Sequence, residues 1–208
     1  NCSKIKTQDL WFLSTQSMLD SDPVQPFGEH SKGVLFAEGF SVLLLESARH
    51  RRARQRSGGI RLQTSYMQIS AGRSNDSSWL STSIVKVMQQ AVEKAKIAAG
   101  DLCAIIPHGN GSSISDKAEA KAIVIFSEGT LIPVLAYKGQ IGYTATGSGI
   151  IDLIIGHHTL SQREIISPVA GDAIIETIAQ QVLVNREATH HASAHLLKMA
   201  IGVDGSVI

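Results

Sequence analysis

Cysteine is scarce: the 208 residues hold two, Cys2 and Cys103. Two cysteines cannot build a disulfide framework. The opening stretch NCSKIK also lacks the charged region, apolar core and cleavage site of an export signal, so the cytoplasm is the expected compartment. Long apolar runs are missing as well. Stretches such as VLLLE (42–46) and IIDLII (150–155) fall far short of the roughly 20 residues that a bilayer span needs, and no membrane span is expected. Nor does charge of one sign dominate. With 19 Lys and Arg against 18 Asp and Glu, the net charge of +1 gives no global pull toward nucleic acid or an anionic membrane. The one basic run, RHRRARQR (49–56), carries five arginines but no interleaved aromatic on which bases would stack, which argues against nucleic acid. It reads either as the solvated face of a helix after Glu46 or as a patch for a phosphate or an acidic surface.

What is present is a core's worth of apolar residues, 43% of the chain, enough for one domain of ordinary size or part of a larger one. The chain opens without methionine and stops at IGVDGSVI inside a strand-like apolar run. Residues 1–208 therefore read as the later portion of a longer polypeptide.

Patterning alternates strands and helices. VLFAEGFSVLLLES (34–47) reads as buried strand material with a glycine break, and IRLQTSYMQISAG (60–72) as a second strand. SSWLSTSIVKVMQQAVEKAKIAAG (77–100) places apolar residues at 80, 84, 87, 88, 91, 92 and 95, the spacing of an amphipathic helix that serines begin and Gly100 ends. LCAIIP (102–107) is a short buried strand that delivers His108 at its carboxyl end. A helix follows from Ser115 to about Glu128, LIPVLAY (131–137) is another strand, and GYTATGSGIIDLIIGHHTL starts a further helix. Residues 170–190 are ambiguous, and HLLKMAIGVDGSVI (195–208) reads as a β-hairpin around Asp204-Gly205. This alternation predicts an α/β protein with a mostly parallel sheet covered by helices and chemistry at the strand carboxyl ends.

Two glycine-rich stretches stand out. In HGNGSSISDKAEAKAI (108–123), His108 sits where a buried strand ends and glycines let the backbone approach a ligand, which suits a neutral imidazole donor. In YKGQIGYTATGSGIID (137–152), Lys138, Tyr143 and Asp152 are interspersed with glycines at 139, 142, 147 and 149 that permit close backbone approach.

With these motifs in order, the chain resembles the C-terminal half of a β-ketoacyl synthase of the thiolase fold. The family's His-Gly-Thr-Gly-Thr turn, followed by an Asp and a Glu-Ala pair, is matched by HGNGSSISDKAEAKAI with Asn110 for the threonine. Its Ser-Thr-Lys strand and Gly-His-x-x-Gly-Ala-x-Gly turn are matched by AYKGQIGYTATGSG, and Asp152 lies where the family has an acid paired with the lysine. Upstream, PFGEHSKGVLFAEGFSVLLLES (26–47) is similar to the Pro-Phe-Asp, Gly-Phe and Gly-Glu-Gly segment, with Gly28 for the aspartate and Ala37 for the first glycine.

The resemblance implies a layered thiolase-like half-domain over residues 33–208, preceded at 1–32 by the end of the N-terminal half and a connecting loop. It implies decarboxylative condensation of acyl chains carried on the phosphopantetheine of an acyl carrier protein, with no free cofactor. In that chemistry a cysteine takes the acyl chain, and two histidines donate to the malonyl thioester carbonyl while the lysine and acid order the network. His108, Lys138, Tyr143 and Asp152 are the corresponding site residues.

Departures from the family pattern shift the expectation. The family's layout puts the nucleophile elbow before Asn1, and neither Cys2 nor Cys103 has its small-residue setting; Cys103 in LCAII reads as a core residue. Tyr143 replaces the second histidine, and losing one aligned oxyanion donor lowers the rate by about 100- to 1000-fold. IGVDGSVI departs from the Gly-Phe-Gly-Gly gating loop, with Val203 and Asp204 at its centre. The chain is therefore expected to be a chain-length-factor-like, catalytically impaired subunit of fatty acid or type II polyketide synthesis. Its expected partners are an active ketosynthase subunit, or its own missing half, and an acyl carrier protein, whose acidic surface is one candidate for the arginine run. The alternative is part of a competent condensing enzyme whose cysteine lies upstream. A solitary half would expose a large apolar face, so a covering chain is expected. Remoter alternatives are a nucleotide-binding enzyme, although no GK[ST] follows either glycine turn, and a pure interaction module. His157, His158, His190, His191 and His195 invite a metal reading, with 191 and 195 on one helical face, but no HExxH or CxxC accompanies them and no metal is expected.

Overall fold

The structure, a computed structural model, describes residues 2–15, 24–55, 57–69, 77–202 and 204–208. In chain order its elements begin with β1 (Cys2–Ser3), α1 (Thr7–Thr15), β2 (Gly39–Phe40), α2 (Ala48–Ala53) and β3 (Gln68–Ile69). They continue with α3 (Ser77–Ala95), β4 (Leu102–Ile106), α4 (Ser113–Ser127), α5 (Lys138–Ile141) and α6 (Ser148–Gln162). The last four are β5 (Glu164–Ile165), β6 (Thr189–His190), β7 (His195–Lys198) and β8 (Ser206–Val207).

β4 is the centre of the molecule, and all five of its residues, Leu102 to Ile106, are buried. It pairs in parallel with β7 on one side. On the other, Ile105 N–H donates to Pro133 O (2.8 Å) and Leu135 N–H to Ile105 O (2.9 Å). Val134 N–H in turn donates to Gln181 O (2.9 Å) and Leu183 N–H to Val134 O (3.0 Å). A continuous parallel sheet results, in the order β7, β4, residues 133–135, residues 181–183. The segment ambiguous in sequence thus supplies a sheet edge.

Helices cover both faces. Leu102, Ile105 and Leu197 pack with Ile84, Val87 and Met88 of α3 and Ala118, Ala122 and Ile123 of α4. Cys103, Ala104, Ile106 and Leu196 pack instead with Ile155 and Leu160 of α6. A register shift between Leu102 and Ala104 is why Leu102 and Ile105, rather than Leu102 and Ala104, share a face. β7 leads into the expected hairpin: Ala200 and Ile208 exchange hydrogen bonds (2.9 Å each), and Gly205, at φ +81°, turns the chain. Its return strand β8 pairs with β3.

Four sequence expectations need correction. The stretch 34–47 is not buried throughout: Val34 is, but Val42, Leu44 and Leu45 are 67%, 85% and 73% exposed. Gly39–Phe40 form a two-residue strand with Cys2–Ser3, and Phe36 makes a single bridge to Tyr143. The apolar run matches a covered strand, yet the described residues contain no layer to cover it. In the stretch 60–72 only Gln68–Ile69 form strand, and 70–72 lie outside the described residues. α3 ends at Ala95 with Lys96 in the left-handed region at φ +57°, so Gly100 is not its stop. His191 and His195 share no helical face, because His195 belongs to β7 and His191 follows β6. The arginine run does form a helix, α2, capped by Ser47, whose hydroxyl accepts His50 N–H. Arg56 and residues 70–76 lie outside the described residues. No helix among the described residues is long and apolar enough to cross a membrane.

Candidate functional site

Three neighbouring parallel strands end side by side, and each delivers one polar residue at its carboxyl end. β4 delivers His108, the strand through 133–135 delivers Lys138 at the start of α5, and β7 ends on Lys198. Such strand ends are where α/β sheets gather chemistry. α6 adds Asp152, 1% exposed. Its Oδ2 accepts from Lys138 Nζ at 2.9 Å and from Lys198 Nζ at 3.0 Å, while its Oδ1 is buried without a partner among the described residues. Lys198 Nζ also donates to Met199 O.

The Asp and Glu downstream of His108 hold its turn. Glu119, fully buried, accepts His108 N–H at 2.7 Å and Gly109 N–H at 2.8 Å. Asp116 accepts Phe27 N–H (2.8 Å), Asn110 N–H (3.2 Å) and Gly111 N–H (3.1 Å). Both carboxylates therefore replace water for backbone donors that burial would otherwise orphan. Burial raises both carboxyls, Asp116 to about 7 against the pull of its N–H partners. Gly111, at φ +93°, has no room for a side chain, since a Cβ there would lie 2.2 Å from Val24 Cγ1 and 2.5 Å from Gly33 O.

His108 is 7% exposed. Its Nδ1 accepts Ile201 N–H at 3.3 Å, so in the neutral ring Nε2 carries the hydrogen. Burial, then the charges of Lys138 and Lys198, holds the imidazole well below its ordinary range, and the ring stays neutral. Tyr143 meets it edge to face, with centroids 5.6 Å apart and planes at 80°, and also packs on Phe36 at 5.9 Å. Residues 35–37, just before β2, clasp this turn: Tyr143 N–H donates to Leu35 O (2.8 Å) and Ala37 N–H to Tyr143 O (3.0 Å). Gly142 makes that approach possible, because a Cβ would fall 2.4 Å from Ala37 Cβ. Gly149, by contrast, faces open space and is not needed for close packing. Burial raises the Tyr143 phenol, which stays protonated and able to donate.

The four residues singled out in sequence, His108, Lys138, Tyr143 and Asp152, thus converge on one locus. Lys198, Glu119 and Asp116 join them as ion-pair partner and turn anchors. Cys103 points into the core toward α6, and burial pushes its thiol up to about 11, so it supplies no thiolate. Asp204 accepts from Ser206 N–H (3.0 Å) and Oγ–H (2.7 Å) in the hairpin turn. Val203 and the Cys2 side chain lie outside the described residues. The five histidines set apart as metal candidates join no cluster of three ligands among the described residues; His158 approaches Glu164 at 3.7 Å.

The sequence profile described as "Beta-ketoacyl synthase, C-terminal domain" matches residues 67–171. The 3-oxoacyl-[acyl-carrier-protein] synthase 2 of Mycobacterium bovis is 25% identical over 148 residues, 69% of this chain and 34% of that protein. A putative polyketide beta-ketoacyl synthase 1 of Streptomyces cyaneus is 23% identical over 190 residues, 87% of this chain and 43% of that protein. Among solved structures, the ishigamide ketosynthase/chain length factor superposes with a TM-score of 0.88 at 19% identity, covering 99% of this chain and 51% of that one. The fold is thus the thiolase-like ketosynthase fold, and the chain spans about half the length, or less, of the proteins it matches.

Proposed function

This chain belongs to the β-ketoacyl synthase family, and from that premise we propose that it serves the elongation of carrier-bound acyl chains in fatty acid or type II polyketide synthesis as a catalytically impaired, chain-length-factor-like partner of an active ketosynthase. The observation that carries this is the pair at the strand end: a neutral His108 with Nδ1 occupied and Nε2–H free to donate, beside a tyrosine.

In this proposal the thioester carbonyl of a malonyl group, borne on the phosphopantetheine of an acyl carrier protein, lies against His108 Nε2–H. As carbon dioxide leaves, the carbonyl oxygen gains charge, and a fixed donor stabilises it more in the transition state than in the ground state. The imidazole needs no proton of its own to lose, since it acts as a donor and not as an acid. Glu119 fixes the backbone that aims it, and the two lysines on Asp152 keep positive charge nearby. The Tyr143 phenol is a second donor, with a longer reach and a different aim from an imidazole. No free cofactor enters, and the setting is cytoplasmic.

A covering chain is part of the proposal. Phe40, Val42, Leu44 and Leu45 are exposed along one stretch of chain, and Leu62 and Ile69 along another, apolar surface of the kind that a partner normally covers. An active ketosynthase subunit, or an upstream half of the same polypeptide, would cover it. A monodisperse folded monomer in solution would contradict this.

One observation favours a second reading, a competent condensing enzyme with its cysteine elsewhere: the phenol of Tyr143 remains protonated. Carbon dioxide release from malonyl carrier protein separates the two, measured with the chain joined to its covering partner. An impaired subunit should gain about 10-fold or more with Tyr143→His, out of the roughly 100- to 1000-fold worth of one aligned donor. Full release with the native tyrosine, and no gain from histidine, would establish the second reading. A chain that binds no carrier protein at all would refute both in favour of a pure interaction module.

A further inference from the structure

Lys198 has no part in the site described by the sequence motifs, yet its ammonium shares one carboxylate oxygen with Lys138. We propose that Lys198 is a positioning residue for His108: anchored on Asp152, it fixes the strand end whose Ile201 N–H occupies His108 Nδ1, so that Nε2 is the ring's permanent donor. The proposal rests on the functional reading above only for what the donor is used for.

The geometry is that of a short lever. Lys198 closes β7, where Ile106 pairs with Lys198 and Met199 N–H donates to Ile106 O at 2.9 Å. Three residues on, Ile201 N–H reaches His108 Nδ1 at 3.3 Å. The segment between them is tied twice, by Lys198 Nζ on Asp152 Oδ2 at 3.0 Å and by the Ala200–Ile208 pair at 2.9 Å. A shift of the strand end by a few tenths of an ångström would break the bond to Nδ1, which is already near the limit of hydrogen-bond length. The ring would then be free to move its hydrogen to Nδ1 or to take a second proton.

Charge works in the same direction. The charges acting on His108 are Lys138 from α5 and Lys198 from β7, both paired with Asp152 of α6; Glu119 of α4 holds its backbone N–H, Asp116 of α4 holds the next turn residues, and the Tyr143 ring meets it edge to face. Two lysines on one carboxylate leave an excess of positive charge beside the imidazole, which opposes its protonation. Removing Lys198 removes one of these cations, so His108 should then protonate at higher pH.

The test uses the intact protein, with whatever chain covers it, carrying histidine labelled with nitrogen-15. Long-range proton–nitrogen correlation separates the two neutral tautomers from the imidazolium, and loss of a signal in His108→Gln assigns His108 among the eight histidines. The native ring should show Nε2–H alone at every pH at which the protein stays folded. In Lys198→Met the Nδ1–H tautomer or the imidazolium should appear at a pH where the native ring shows neither, and Lys198→Arg should restore the native pattern in part. A folded Lys198→Met with unchanged tautomer and titration overturns the proposal. Should that variant not fold, Lys198→Gln, which removes the charge and shortens the reach to Asp152, is read in the same way with the same overturning result. The readout lies on the protein's own imidazole, so failure to bind any acyl thioester would refute the functional reading and leave this one standing.

Discussion

Replacing Glu119 by glutamine changes one atom in a fully buried side chain, and the expected effect is large. Each carboxylate oxygen accepts one backbone N–H, from His108 at 2.7 Å and Gly109 at 2.8 Å. Glutamine keeps one acceptor and turns an NH2 toward the other N–H. One charge-assisted hydrogen bond is lost, a contribution of about 1.5–3 kcal/mol, and one buried donor is left facing another donor, which costs about 1–3 kcal/mol. Relief of the carboxylate's own burial penalty, visible in its raised pKa, offsets part of that sum. The net destabilisation should be about 2–4 kcal/mol. Urea unfolding of the native and Glu119→Gln proteins in the same assembly reads it as a lower midpoint at unchanged slope. A midpoint shift equivalent to less than about 0.5 kcal/mol would refute the idea that these two bonds hold the His108 turn.

The shared oxygen of Asp152 predicts an order of effects. Asp152→Asn leaves two buried lysines without a carboxylate and should cost about 3–5 kcal/mol, whereas Lys138→Met leaves Lys198 still paired and should cost less; equal losses in denaturant unfolding would contradict a shared pair. Asp116, raised to about 7 in the folded chain, binds a proton there that the unfolded chain has already released. Its contribution is present in full below the ordinary aspartate value of 3.8 and is lost as pH rises through about 7. Stability should thus fall across that window in the native protein and fall less in Asp116→Asn, which a series of unfolding curves against pH would show or deny. Leu44, 85% exposed, should accept arginine with a stability change within about 0.5 kcal/mol, yet lose association with the covering chain by light scattering; undiminished association would place the interface elsewhere.

Local pattern was enough where one strand or helix decides its own fate. The five apolar residues of β4 and the 3.6-residue spacing from Leu80 to Ala91 specify a buried strand and an amphipathic helix without outside help. Pattern misled where burial depends on a neighbour. The run Val42–Leu45 has the composition of a covered strand, but burial is a property of the covering layer, and the described residues hold none over it. Spacing alone likewise put His191 and His195 on a helix, because an interval of four carries no information unless the segment is helical.

The site was legible through motif order, since nothing local ties residue 108 to residues 138 and 152. Sheet adjacency joins them, and parallel pairing between β4 and β7, 93 positions apart at Leu102 and His195, leaves no local mark. For that reason Lys198 escaped notice. The signal it did leave is a lysine at the carboxyl end of an otherwise apolar stretch, HLLKMA, where a surface charge would be out of place. Glu119 and Asp116 were visible as part of the glycine-turn motif, but their task of satisfying backbone donors appears only when the turn is seen to be buried.

The central claim is that His108 Nε2–H grips the carbonyl of a carrier-borne acyl thioester. It is tested most directly by binding carrier protein loaded with a non-hydrolysable malonyl amide, labelled with carbon-13 at the carbonyl, to the assembled protein and comparing the bound carbonyl resonance in native and His108→Ala forms. A hydrogen bond from the imidazole should shift that resonance in the native protein, and the shift should vanish in the variant while the carrier still binds. A resonance that does not differ between the two bound forms would show that the imidazole never touches the thioester oxygen.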